Sequence, residues 1–299
     1  DIERVPIAAF VDAIAKFVVT DFEGRATTPP RQFVHFPQGR IVFTSGGLGS
    51  LAGFRAYETF QSRHRVTEEQ IVAAWDTSSC SLIGVCIGSK LGATRTGVLG
   101  GVAVNALAPA SASTCAVIGT GLQAEAQLRA IIALRKLTEV CVYSRQEAHR
   151  NVFAKRLATI TSARVVPHTS PEDAVSHADI VVLATDSDTP VVDAAALQEA
   201  AHVTTVGPKT AGAHELPLAA VKGRLVVSDS PQQIEAQGRQ HMLAGHPGSS
   251  DIRHLGEILS GGRPPEPKRS LYLSAGLAGT EVVALAAALK STVSHTPSV

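Results

Sequence analysis

The chain has 299 residues, 27 of them Lys or Arg and 26 Asp or Glu, for a formal net charge of +1. Hydrophobic residues make up 44% and charged residues 18%, which is ordinary globular material for about two domains and excludes a disordered polyelectrolyte or a strongly basic nucleic-acid footprint. No apolar run approaches the ~18–20 residues that cross a bilayer, and no signal-peptide pattern opens the sequence. The four cysteines, Cys80, Cys86, Cys115 and Cys141, lack paired zinc spacing and read as reduced thiols of a cytoplasmic protein.

In chain order, Ile7, Phe10, Val11, Ile14, Phe17 and Val18 recur at helical spacing and predict a helix over 7–19. Its apolar stripe serves either a core or a partner subunit. Residues 40–43 and 81–87 are short β-type runs bounded by glycines, with a turn-rich stretch, 46–54, between them. They predict a mixed or antiparallel sheet in a domain of its own.

From Thr114 the rhythm changes. Strands are predicted at 114–118, 139–143, 163–166, 179–184, 202–206 and 224–228, with helices clearest at 122–134 and 147–158. Short buried strands alternating with helices predict βαβ units and a doubly wound parallel sheet. A Gly- and Pro-rich segment, 261–267, interrupts the pattern. Residues 271–274 suit one more strand, and 281–290 a last, Ala-rich helix. The 25 glycines, against 4% aromatic residues, pose the question of which backbone positions require them.

Part of the answer is the run Gly119, Thr120, Gly121, Leu122, Gln123, Ala124, a GxGxxA turn between a predicted strand and a predicted helix. Gly119 permits the tight turn, Gly121 lets backbone approach a pyrophosphate, and Ala124 allows close helix–strand packing. The helix N-terminus then offers free N–H groups to phosphate. The next strand closes with Tyr143, Ser144 and Arg145, where a carboxylate for the ribose 2′-hydroxyl of NAD would stand. A hydroxyl and a guanidinium suit a 2′-phosphate instead, so NADP(H) is expected over NAD(H). Thr185 and Ser187, past the fourth of these strands, are further candidate contacts.

Residues 91–124, with an Arg95-Thr96 pair leading to the GxGxQA turn, resemble the ornithine cyclodeaminase/μ-crystallin family. Pro30-Arg31, Gly53-Phe54-Arg55, Ala178–Val181 before Ala184-Thr185, Val206-Gly207 followed by His214-Glu215-Leu216, and the run 273–281 extend the likeness over about residues 30–290. The resemblance implies an α/β fold. It implies that a Rossmann domain (106–277) is inserted into an α+β substrate-binding and dimerisation domain (1–105 plus 278–299), and that the protein is a homodimer. It also implies hydride transfer between a nicotinamide and Cα of a small imino or amino acid.

By that resemblance Arg95 binds the substrate carboxylate, a role its planar fork suits, and Arg31 is a second contact. Arg55 stands where the family has lysine and can hold a carboxylate but serves poorly in proton transfer. Val42 and Lys209 stand where ornithine cyclodeaminases carry a glutamate and a catalytic aspartate. This counts against the conversion of ornithine to proline and ammonia. Lys209 remains open as a proton donor, an electrostatic anchor or a loop residue. Val206, Gly207, Asp229, Ser230 and Ser274 are expected on the nicotinamide side by resemblance. His35, His64, His202, His214, His241, His246 and His254 show no metal-ligand spacing. The expected activity is a reductase of a cyclic ketimine such as Δ1-pyrroline-2-carboxylate. Ornithine cyclodeaminase and a non-catalytic NADPH-binding protein are the alternatives.

Overall fold

The computed structural model describes residues 2–60, 70–265 and 267–293; His64 and Glu266 lie outside them. The chain divides into two compact units, 1–95 with 276–299, and 96–275. The sequence places these boundaries at 105/106 and 277/278.

In the first unit, α1 (Ile7–Phe22) is followed by β1 (Ala26–Thr27), β2 (Gln32–Phe36), β3 (Gly39–Leu48), β4 (Leu51–Glu58), β5 (Gln70–Asp76) and β6 (Ser81–Ile87). All pairings are antiparallel, in the order β1-β3-β4-β5-β6, with β2 also on β3. The stretch 46–54, expected as turns, is instead mostly strand: only Gly49, at φ 61°, and Ser50 form the hairpin turn. Gly46 is there for close approach, since a Cβ would stand 2.6 Å from the Thr27 carbonyl oxygen and 2.9 Å from Gly279 Cα. A helix, α2 (Lys90–Leu107), then carries the chain into the second unit.

The second unit contains β7 (Thr114–Ile118), α3 (Leu122–Leu134), β8 (Glu139–Tyr143), α4 (Glu147–Leu157), β9 (Arg164–Pro167), α5 (Pro171–Val175), β10 (Ile180–Leu183) and β11 (His202–Thr205). It continues through the short hairpin β12 (Lys209–Thr210) and β13 (Ala213–His214), then β14 (Leu225–Ser228), α6 (Pro231–Gln237), β15 (Arg253–His254), α7 (Leu255–Leu259) and β16 (Ser270–Leu273). Eight strands form one parallel sheet, ordered β15-β14-β16-β11-β10-β7-β8-β9. Val117, Val142, Val182 and Val203 are fully buried, as in a parallel sheet covered on both faces. This is the expected doubly wound Rossmann sheet, with β16 inserted between β11 and β14. Three glycines of α2 serve packing: the missing side chains of Gly97, Gly100 and Gly101 make room for Ala126, Gln127 and Ala130 of α3.

The chain returns to the first unit with α8 (Thr280–Val293). Against it α1 lays the stripe Phe10, Ile14, Phe17 and Val18, all fully buried. The reading of this stripe as a partner-subunit face therefore fails, because the core consumes it.

Candidate active site

The strand order of the second unit reverses at β7, with β8 on one side and β10 on the other, the place where doubly wound sheets bind ligands. The GxGxxA turn follows β7. Gly119 has φ 117°, donates its N–H to the Tyr143 carbonyl at 2.9 Å, and has no room for a Cβ beside the Ala184 carbonyl oxygen. Gly121 faces open space, with nothing within 4 Å of a would-be Cβ. It is the N-cap of α3 and brings no side-chain cap, so first-turn N–H groups remain for an anion. Thr120 and Gln123 are half-buried, Leu122 is exposed, and Ala124 is fully buried under the helix. This cradle fits a dinucleotide pyrophosphate. Past β8, Ser144 is half-buried with its carbonyl accepting from Arg150 Nη1 at 2.8 Å, and Arg145 is exposed.

The ends of β10 and β11 converge on Glu215, which is fully buried. Its Oε1 accepts from Thr205 Oγ1 at 2.8 Å, Val206 N at 3.0 Å and Gly207 N at 2.6 Å. Its Oε2 accepts from Thr185 N at 2.7 Å and Thr185 Oγ1 at 2.8 Å. Lys209 is half-buried, and its Nζ donates to the Gly207 carbonyl at 2.5 Å. His241 is buried near it; burial first, then the lysine's charge, pushes the imidazole down to about 4. Ser274 N donates to the Thr205 carbonyl at 3.2 Å. Asp229 Oδ1 accepts from Ala275 N at 2.7 Å, and the Ser230 hydroxyl caps α6.

In the first unit a buried charge cluster forms around Glu281, in the first turn of α8. Glu281 Oε1 lies 2.7 Å from Arg95 Nη2 and 3.0 Å from Arg55 Nη1. Burial pushes the Glu281 carboxyl up, but the charges of Arg95, Arg55 and Arg31 hold it below the usual carboxylate range. Arg55 is engaged further: Nε donates to Gln70 Oε1 at 2.9 Å, and Cζ sits 4.0 Å from the Tyr57 ring centroid. Arg95 differs, because its Nε and Nη1 are buried with no hydrogen-bond partner among the described residues. Arg31 Nη2 donates to the Gly276 carbonyl at 3.2 Å. A Cβ on Gly276, at φ 85°, would stand 3.5 Å from Arg95 Nη1 and would collide with Arg31 Nη2. Both guanidinium groups thus converge on a spot that only glycine leaves empty.

Residues 2–295 match the ornithine cyclodeaminase/mu-crystallin family. The chain belongs to that family. An NAD(P)H-dependent anabolic L-arginine dehydrogenase of Pseudomonas aeruginosa is 34% identical over 277 residues, 89% of this chain and 86% of that protein. A Delta(1)-pyrroline-2-carboxylate reductase of Bacillus cereus is 33% identical over 221 residues, 71% of this chain and 68% of that one. In fold, the chain is similar to the Thermococcus litoralis Delta(1)-pyrroline-2-carboxylate reductase solved with NADH and L-proline. The TM-score is 0.87 at 22% identity, covering 99% of this chain and 96% of that one. An archaeal alanine dehydrogenase dimer with bound NAD gives a TM-score of 0.85 at 23% identity, covering 98% and 94%.

Within this family member, several expected residues hold positions the sequence did not specify. Arg95 lies inside α2. Thr185 directs both its N–H and its hydroxyl to Glu215, so its hydroxyl proton is spent within the protein. Glu281 and Glu215 escaped sequence reasoning as site residues, although each stands in a stretch quoted for the family likeness, 273–281 and 214–216. Gln70 gave no signal. Among the described residues, no group of three or more His, Cys, Asp or Glu is placed to hold a metal ion, and no helix is long and apolar enough to cross a membrane.

Proposed function

We propose that the chain is an NAD(P)H-dependent oxidoreductase that reduces the C=N bond of a small imino acid, a cyclic ketimine such as Δ1-pyrroline-2-carboxylate. The buried guanidinium of Arg95 carries this reading. Two of its nitrogens lack partners among the described residues, and leaving charged donors unsatisfied in a protein interior is costly, so the arrangement is built to receive an anion. A substrate carboxylate taken at Nη1, with Arg31 beside it, has its carboxyl end anchored by two guanidinium groups. Arg55, already held by Gln70, Glu281 and Tyr57, adds positive potential.

The nicotinamide supplies a hydride when bound. Gly119, Thr120, Gly121, Leu122, Gln123 and Ala124 form the pyrophosphate turn, and Thr185, Val206, Gly207 and Ser274 border the nicotinamide end. Lys209 donates the proton that the imine nitrogen takes up, directly or through water. Ser144 and the exposed Arg145 favour NADP(H), with NAD(H) usable. Lysine at 209 and buried valine at 42 leave ornithine cyclodeamination without its two carboxylates.

The protein works as a homodimer. Edge strand β6 exposes Leu82, Ile83, Val85 and Ile87, an apolar patch that water disfavours, and the similar alanine dehydrogenase is described as a dimer. The four free cysteines suit a reducing cytoplasm.

NADPH and NADH oxidation with a panel of cyclic imino acids tests the reading. Turnover on Δ1-pyrroline-2-carboxylate or a close analogue is the expected result. Proline formed from ornithine would replace it with the cyclodeaminase, and tight NADPH binding without turnover would replace it with a binding protein. Light scattering that reports a monomer would remove the dimer.

A further inference from the structure

We infer that Glu215 is a positioning residue for the nicotinamide end of the site: one carboxylate sets the relative placement of the β10 and β11 ends and of the loop that carries Lys209. The inference rests on the nicotinamide-dependent reading above.

The geometry is a clamp. Glu215 receives two donations from Thr185, at the end of β10, and three from Thr205, Val206 and Gly207, at the end of β11, all between 2.6 and 3.0 Å. Neighbouring parallel strands are joined by their ladder only as far as Leu183 and Thr205. The last ladder bond runs from Val206 N to the Leu183 carbonyl at 2.9 Å; the carboxylate shares that N–H and takes the N–H groups of Thr185 and Gly207 beyond it.

Glu215 also closes the loop it terminates. Lys209 pairs with His214, the residue before the glutamate, and Lys209 Nζ donates to the carbonyl of Gly207, whose N–H is held by the glutamate. Fixing Glu215 therefore fixes both ends of the 207–215 loop.

The same clamp explains Gly207. A Cβ there would stand 2.6 Å from Glu215 Cδ and would collide with the Thr185 carbonyl oxygen. The glycine is needed because the carboxylate occupies the side-chain volume. A glutamine amide at 215 turns an acceptor oxygen into a donor group facing backbone N–H groups that can only donate. A threonine hydroxyl can turn round to accept, but a backbone N–H cannot, so at least one of the five bonds is lost and the strand ends shift by a fraction of an ångström, enough to disturb a hydride-transfer geometry.

The test compares wild type, Glu215→Gln and Thr205→Val for NADPH affinity, for adenosine 2′,5′-bisphosphate affinity, and for kcat and KM on the imino acid. Glu215→Gln is expected to lower kcat/KM by about tenfold to a hundredfold and to weaken NADPH, with the adenosine fragment held within about twofold. Thr205→Val, which deletes one donor, is expected to give a smaller loss of the same pattern, and it carries the test where Glu215→Gln does not fold. Unchanged kcat/KM and NADPH affinity in folded variants overturns the role of Glu215, as does equal weakening of fragment and whole cofactor. A wild type that neither binds NADPH nor turns over an imino acid overturns the functional reading itself and the inference with it.

Discussion

Arg95 is held by Glu281 through one edge of its guanidinium, Nη2 to Oε1 at 2.7 Å, while Nε and Nη1 stay buried and unbonded. The glutamate orients the arginine through Nη2 and leaves Nη1, the atom facing the Gly276 spot, for an anion. Arg95→Ala is expected to lower kcat/KM for the imino acid by roughly 10²–10³, the range for losing a buried charge-assisted partner. NADPH affinity is expected to stay within about twofold. Arg95→Lys recovers little, since an ammonium cannot hold Glu281 and a second anion in the planar geometry of a guanidinium. Steady-state kinetics and cofactor titration read both outcomes, and an unchanged kcat/KM would exclude Arg95 from substrate binding.

Arg31, Arg55 and Arg95 all act on the ionisation of Glu281. Glu281→Gln leaves those arginines repelling one another in a medium that screens poorly. Removing one partner of a buried ion pair costs about 3–5 kcal/mol, so denaturant unfolding is expected to show a loss of that order. A loss below about 1 kcal/mol would mean the cluster is as well solvated as a surface pair.

Arg145 is exposed at the end of β8, with Ser144 before it. Arg145→Ala is expected to raise the KM for NADPH by roughly ten- to a hundredfold, one lost charge-assisted contact, and to leave the KM for NADH near its original value. Equal KM values for the two cofactors in the wild type would argue that no 2′-phosphate is recognised.

His202 is fully buried, with Nδ1 at 2.8 Å from Ser270 Oγ and Nε2 at 2.9 Å from Thr204 Oγ1. Burial, then the charges of Arg224, Arg263 and Arg135, pushes it down from 6.5 to about 3. Between those values the unfolded chain binds a proton that the folded chain does not. Stability from this group is therefore complete above pH ~6.5 and falls as the pH drops towards ~3, by at most ~1.4 kcal/mol per pH unit. Denaturant titrations at pH 7, 5.5 and 4.5 are expected to show a shallower acid loss for His202→Gln than for the wild type. Parallel losses would mean that His202 titrates normally in the fold.

The sequence by itself determined the parts whose physics is local. Apolar runs of strand length between helical patterns located the strands at 114–118 and 139–143 and the helix at 122–134 to the residue. Gly119 and Ala124 announced the turn because their spacing is a property of adjacent backbone. Arg31, Arg55 and Arg95 stand out in the sequence by type and by family likeness, and the structure brings all three to Glu281.

What only the tertiary structure decided are relationships between residues far apart in the chain. Glu281 reaches Arg55 across 226 positions, and no spacing rule registers a partner so distant. Gly46 lies in a strand because Thr27 and Gly279 press against it, and Gly207 is glycine because Glu215 fills its side-chain volume. β16 pairs with β11 and β14 although β12, β13 and β15 intervene in sequence. Hydrophobic periodicity reports which face of an element is buried, but the identity of what covers it is set by packing, which acts on distance in space rather than along the chain.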